Sequence, residues 1–144
     1  MPMSEQTDSQ KPLPVVNFLK LPDEGDPYLE GSQCTECKAI FTGYRATCSK
    51  CGARDAMETI RLSNRGKLYS YCIVHRSFPG IQVPYVSAIV DLDDGGTIKG
   101  CLINIDPDPE KLEFDMPVEL VYQDALGRKD KDGNSYTSYF FQPA

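Results

Sequence analysis

The sequence is poor in the groups on which most enzymes depend. Histidine occurs once, at position 75, after an apolar stretch. A single imidazole there reads as a strand-end side chain more readily than as a general base. Cys72 and Cys101 stand outside any Cys–His–acid pattern that would activate a thiol. No glycine loop of the phosphate-cradling or dinucleotide kind is present. No apolar run approaches the roughly 18 residues needed to cross a bilayer. Met1 to Pro14 is polar and Pro-rich, without the hydrophobic region of a secretion signal. A basic surplus is missing as well, since the net charge is -6. That balance opposes phosphate binding across the whole surface.

Six cysteines are present, and four of them stand in two pairs, Cys34-Thr35-Glu36-Cys37 and Cys48-Ser49-Lys50-Cys51. Two residues within each pair and ten between the pairs is the spacing of a compact zinc ribbon. Each C-x2-C turn points two sulfurs at one ion, and two turns complete a tetrahedral thiolate shell at about 2.3 Å. With every position taken by sulfur, such a site is structural rather than catalytic. Gly52 follows the second pair, where the turn needs a left-handed residue, and Lys38 must bear that conformation after the first. Two disulfides are the alternative, and they do not suit a chain without a secretion signal. Iron held as in rubredoxin is another. Thiol ligands point to a reducing cytoplasm, and Cys72 and Cys101, within apolar runs, are expected to be small buried hydrophobes.

The chain is long enough for one ordinary domain or two small ones. Residues 1–27 read as a flexible Pro-rich arm, with a disordered tail over 1–10. Its apolar cluster, Val15, Val16, Phe18, Leu19 and Leu21, either folds back on the chain or lies on a partner. Residues 28–61 form the ribbon and 62–144 a β domain. Strands are expected at Lys67–Arg76, Pro84–Leu92, Thr97–Ile105, Pro117–Gln123 and Tyr136–Gln142, from their β-branched and aromatic content. Asp93-Asp94-Gly95-Gly96 supplies a tight turn, and Glu110-Lys111-Leu112-Glu113 suggests a short helical connection. Asp91, Asp93 and Asp94 read as turn and solvation chemistry rather than a metal site. Five strands with a helical piece before the fourth predict the Greek-key OB-fold barrel, with a five-stranded sandwich as the alternative. The fold class is therefore mainly β, a rubredoxin-like ribbon followed by a barrel.

Several segments in order resemble a known family. Leu29-Glu30-Gly31-Ser32-Gln33-Cys34 leads into the first pair, and Arg45-Ala46-Thr47-Cys48-Ser49-Lys50-Cys51-Gly52 carries the second. Leu62-Ser63-Asn64-Arg65-Gly66-Lys67-Leu68-Tyr69-Ser70 and Pro84-Tyr85-Val86-Ser87-Ala88-Ile89-Val90-Asp91-Leu92 follow. Together they resemble the small proteins with a zinc ribbon and an OB-fold that accompany thiolases and related acyl-CoA enzymes. Two departures are Asn64-Arg65 in place of a frequent Gly, and Ser49 in place of a frequent Pro. The resemblance implies a non-catalytic subunit that props up a thiolase-fold catalytic partner and helps enclose coenzyme A, which the partner mainly binds.

Charge is distributed unevenly. Residues 31–65 carry net +3, whereas residues 1–30 carry -4 and residues 101–144 carry -5. Arg61, Arg65 and Lys67 lead from the positive segment into the barrel and are the candidate contacts for the coenzyme A phosphates; a solvated basic face is the plainer alternative. A nucleic-acid-binding role is the competing function class, with Tyr69, Tyr71 and Tyr85 as stacking platforms. The loop Ser77 to Val83 offers Phe78 and Ile81 either to a partner or to the end of the barrel's own core.

Overall fold

The computed structural model describes residues 12–144, so the expected tail over 1–10 lies outside the described residues. Ten strands make two sheets: β1 Leu13–Pro14, β2 Leu19–Lys20, β3 Tyr28–Cys34, β4 Ile40–Thr42, β5 Met57–Arg61, β6 Arg65–Val74, β7 Tyr85–Leu92, β8 Thr97–Leu102, β9 Pro117–Lys129 and β10 Ser135–Pro143. Strands β6, β7 and β8 form an antiparallel meander. β10 then lies parallel to β8 at Phe141 and Leu102 and antiparallel to β9, while β9 pairs with β6. The ring β6-β7-β8-β10-β9 is thereby closed, which is the five-stranded OB-fold topology. No helix of the described residues is long and apolar enough to cross a membrane.

Alternation in the sequence decides which face fills the barrel. Along β7, Val86, Ala88, Val90 and Leu92 are buried, and Ile89 and Asp91 between them are exposed. Leu68, Ile98, Leu102, Val118, Leu120 and Phe141 complete the interior from the other strands. At Gly66 the strands approach so closely that a Cβ would meet the carbonyl oxygen of Asp91 and the side chain of Val90. Only glycine fits there.

The apolar cluster of the arm folds back on its own chain. β1 adds in parallel to β10, with the Val15 N–H donating to the Thr137 carbonyl at 3.0 Å. β2 pairs with β3, Leu19 is fully buried, and the Phe18 ring lies 5.9 Å from that of Tyr139.

Three expectations need correction. The connection over 106–115 contains turns and no helix. Pro107 and Pro109 remove amide donors, and Asp108 instead accepts the N–H of Glu110 in a local turn at 3.0 Å. That segment still delivers Leu112 to the barrel core, where it is buried. β9 runs to Lys129, well past Gln123, because its continued pairing with β10 carries it beyond the barrel wall. Cys72 and Cys101 are not buried hydrophobes: Cys72 is exposed and Cys101 half-buried. Both pair with Ser87, one strand on each side, so they lie in one row on the outer face. Two strand spacings of about 4.8 Å separate them, beyond the roughly 7 Å that a disulfide can span.

One polar atom inside the described residues lacks a partner. The Tyr122 hydroxyl is buried without a hydrogen bond, beside the core. Desolvation alone pushes its ionisation up to about 12. A hydroxyl buried without compensation costs about 1–3 kcal/mol, so removing it while keeping the ring removes that cost. Tyr122→Phe is expected to leave stability unchanged or raise it by up to about 1 kcal/mol in urea denaturation. A loss of more than about 1 kcal/mol would mean that the hydroxyl has a partner such as a trapped water.

Candidate functional site

Two short turns build the cysteine cluster. The Lys38 N–H donates to the Cys34 carbonyl and the Gly52 N–H to the Cys48 carbonyl, each at 2.9 Å. Behind them, the Cys34 and Cys48 N–H groups donate to Ala39 and Ala53 at 2.9 and 3.0 Å. The two knuckles are therefore near copies. Lys38 has φ 67° and Gly52 φ 81°, the left-handed conformation that both positions require. β3 holds the first knuckle, paired on one edge with β4 and on the other with β5.

The four sulfurs converge. Cys34 and Cys51 Sγ are 3.7 Å apart, Cys37 and Cys48 Sγ 3.5 Å, and all four lie within 4.8 Å of one another. These separations match the edge of about 3.8 Å in a tetrahedron of thiolates at about 2.3 Å from a central ion, and they far exceed the roughly 2.05 Å of a disulfide. The four residues could hold one metal ion.

The backbone prepares them for ionisation. The N–H groups of Cys51 and Lys50 approach Cys48 Sγ at 3.4 Å. Donation from the Cys51 N–H, ahead of that from Lys50, brings the Cys48 thiol down to about 6. The Cys34 thiol is lowered too, chiefly by the Cys37 N–H. Cys51 goes the other way, to about 12: the Ala53 N–H favours its thiolate, but desolvation and the three neighbouring sulfurs outweigh that donor. All four can be thiolates at once only with a cation between them.

The candidate coenzyme A contacts are not brought into one cluster. The Arg61 guanidinium lies 3.9 Å from the centroid of the Tyr28 ring, at the end of β5. Arg65 reaches Glu119 at 3.7 Å, and Lys67 is exposed two residues further along β6. All three are at the passage from ribbon to barrel. A second basic place was not legible in the sequence. An open groove of about 470 Å³ is lined by Asn17, Phe18, Lys20, Thr42, Tyr44 and Arg45, from the arm and the β4 exit.

The passage itself is tightly built. Leu62 is buried, and its side chain sits where a Cβ on Gly31 would be, at 2.5 Å. Ile40 of β4 packs over Gly96 in the β7–β8 turn, and Thr42 Oγ1 donates to the Thr97 carbonyl at 3.1 Å. Asp94 ties the two parts together. One carboxylate oxygen accepts the Ser63 N–H at 2.8 Å and the other the Gly96 N–H at 3.2 Å. Turn chemistry explains Asp94, as the sequence suggested, but its hold on Ser63 spans 31 positions and no local pattern announces it.

A cysteine ribbon packed on a closed OB-fold barrel is the architecture in which any function has to be sought. Comparison with known proteins narrows the class. A model of the ChsH2 C-terminal OB-fold domain matches residues 59–123. A DUF35 domain-containing scaffold protein of Methanocaldococcus jannaschii is 35% identical over 118 residues, covering 80% of this chain and 81% of the relative. The chain belongs to the DUF35 family. The benzoylsuccinyl-CoA thiolase subunit BbsA of Thauera aromatica is 30% identical over 148 residues, 97% of this chain and 99% of BbsA. Among solved structures, an Ltp2-ChsH2(DUF35) aldolase is similar at TM-score 0.63 and 30% identity, over 81% of this chain and 84% of the matched chain.

Replacing Asp94 by Ala removes a carboxylate that holds two backbone N–H groups across the ribbon–barrel passage. A loss of about 1–3 kcal/mol is expected in denaturant unfolding, the range for hydrogen bonds to a charged group. Asp94→Asn should lie between, because the amide oxygen accepts only on one side. Equal stability of all three proteins would show that the passage is held by Leu62 and Ile40 alone.

Proposed function

We propose that this chain is a non-catalytic subunit of a thiolase-type acyl-CoA complex, with one structural zinc ion held by Cys34, Cys37, Cys48 and Cys51. The observation that carries this reading is the end-to-end similarity to BbsA, which leaves almost nothing of either chain unmatched. The aldolase neighbour supports the same kind of assembly, as a complex named for a DUF35 chain together with Ltp2. The thiolase-fold partner supplies the nucleophile, the base and the oxyanion hole. This chain stabilises the partner and helps enclose the coenzyme A arm, and benzoylsuccinyl-CoA thiolysis in toluene breakdown is the finer form of the proposal.

The chemistry of the chain agrees with that division. His75 is exposed at the loop after β6, and Cys72 lies on the outer face of the sheet, so neither sits in a recess that could enclose a substrate. Zinc fits the four sulfurs because it accepts tetrahedral thiolates without redox change. Arg61, Arg65 and Lys67 lend positive charge near the partner's coenzyme A entrance. The nucleic-acid reading gains no comparable support: Tyr71 turns toward the barrel core and its ring pairs with Phe114 at 5.7 Å.

The zinc assignment predicts about one equivalent of zinc per chain by elemental analysis, in a colourless protein. Cys48→Ser should lose the metal and unfold the ribbon while retaining much of the β signal of the barrel. Less than half an equivalent of zinc, or a red iron form, would overturn it. The coenzyme A assignment is tested in the assembled complex. Arg61→Ala with Arg65→Ala should raise KM for acyl-CoA by about threefold or more, since two exposed charge contacts are worth roughly 0.2–1 kcal/mol each. The complex should stay associated and the salt dependence of KM should weaken. An unchanged KM would return the basic passage to ordinary surface.

A further inference from the structure

The loop between β6 and β7 carries an exposed apolar tip that the fold does not use. Phe78 is 79% exposed, with Ile81 at 39% and Val83 at 38%. The turn is stiffened. The Ile81 N–H donates to the Phe78 carbonyl at 3.2 Å, Gly80 takes φ 89° between them, and prolines stand at 79 and 84. Phe78 is thus held outward at little further entropic cost. Capping the barrel is not its task, because a ring 79% exposed covers little of the core.

Charge narrows the choice of what covers this tip. From 59 to 90 there is no Asp or Glu, in a chain that has 21 of them, and Arg61, Arg65, Lys67 and Arg76 lie within that stretch. Anionic membranes attract clusters of about 4–8 basic residues, and the loop has only Arg76 with His75 beside it. A second copy is a poor host. The open groove beside its arm is lined by Lys20 and Arg45, which repel Arg76. An apolar recess with an acidic or neutral rim on a different protein satisfies both the aromatic tip and the cation.

We propose that the Ser77–Val83 loop is a plug that docks Phe78, Ile81 and Val83 into an apolar recess of the thiolase-type catalytic subunit. This inference deepens the function proposed above and rests on it. Buried aromatic anchors of this sort carry a large share of the binding energy at interfaces. The loop follows the end of β6, the strand that starts with Arg65 and Lys67, so plug and basic passage stand at opposite ends of one strand.

The test uses the tagged full-length chain co-expressed with the thiolase-type subunit of its own genome. Wild type is compared with Phe78→Ser/Ile81→Ser and with Ile89→Ser, an exposed apolar control on the outer sheet face. Because the loop residues touch solvent, thermal melts of the isolated variants should match wild type. The loop variant is expected to lose association at least tenfold, and the control to keep it. A photo-crosslinking residue at position 78 should join the catalytic subunit. If wild type binds no thiolase-type subunit, the function proposed above fails and this inference with it. If wild type and the loop variant bind equally, or if position 78 crosslinks only to lipid or to a second copy, the plug is overturned while the subunit reading stands.

Discussion

Leu62 is the residue through which the two halves of the molecule share a core. Its side chain lies against Gly31 of β3 and close to Gly96 of the β7–β8 turn, and its N–H donates to the Leu29 carbonyl at 2.9 Å. A ribbon of roughly 30 residues buries too little apolar surface to stand by itself. The cysteine cluster stands at its far end, and Leu62 with Leu29 and Ile40 anchors its near end to the barrel. Because Phe41 O and Leu62 both occupy the space of a Gly31 side chain, the strands cannot separate slightly and still pack. Any larger residue at Gly31 would push β3 from Leu62, an overpacking that costs about 1–3 kcal/mol. Cysteine cluster and apolar seam thus stand at opposite ends of the same strand.

The local parts of this structure were legible and the non-local parts were not. Cysteine spacing identifies the four sulfurs that converge, because a C-x2-C turn closes on itself within a few residues. β-Branched and aromatic content locates all five barrel strands, and side chains such as Val86, Ala88 and Val90 then bury one face whatever lies opposite. The end of β9 was illegible for the converse reason. Asp124 to Lys129 has a glycine and no β-branched or aromatic residue, and it extends because β10 pairs with it, Ser135 against Lys129. The helix expected from Glu110 to Glu113 shows helix-forming residues overruled by two prolines and an aspartate turn. Cys72 looked buried among Tyr71 and Ile73, but a bulge between Leu68 and Ser70 shifts the phase of β6 and turns Cys72 outward. The fold of the arm depended on contacts with Tyr139 and Thr137, more than a hundred residues away, and no local pattern contains them.

What the barrel offers to other molecules follows from which side chains its strands turn outward. OB-folds that take single-stranded nucleic acid stack bases on aromatic rings of the sheet, within a positive groove. Here the outer face of β7 and β8 carries Ser87, Ile89, Asp91, Thr97, Lys99 and Cys101, with Tyr85 half-buried at its start. The exposed aromatics are elsewhere: Tyr44 beyond β4, Tyr69 at the bulge of β6, Phe78 on a loop and Phe114 after a turn. Rings so separated cannot stack a run of bases. Single apolar side chains held at loop tips suit recesses in another folded surface, where each ring buries its area at one point. The acidic segments at both ends of the chain add a general repulsion of polyanions. A closed barrel with a plain sheet face and single apolar side chains at its loop tips is the arrangement on which the proposed contact with a catalytic subunit rests.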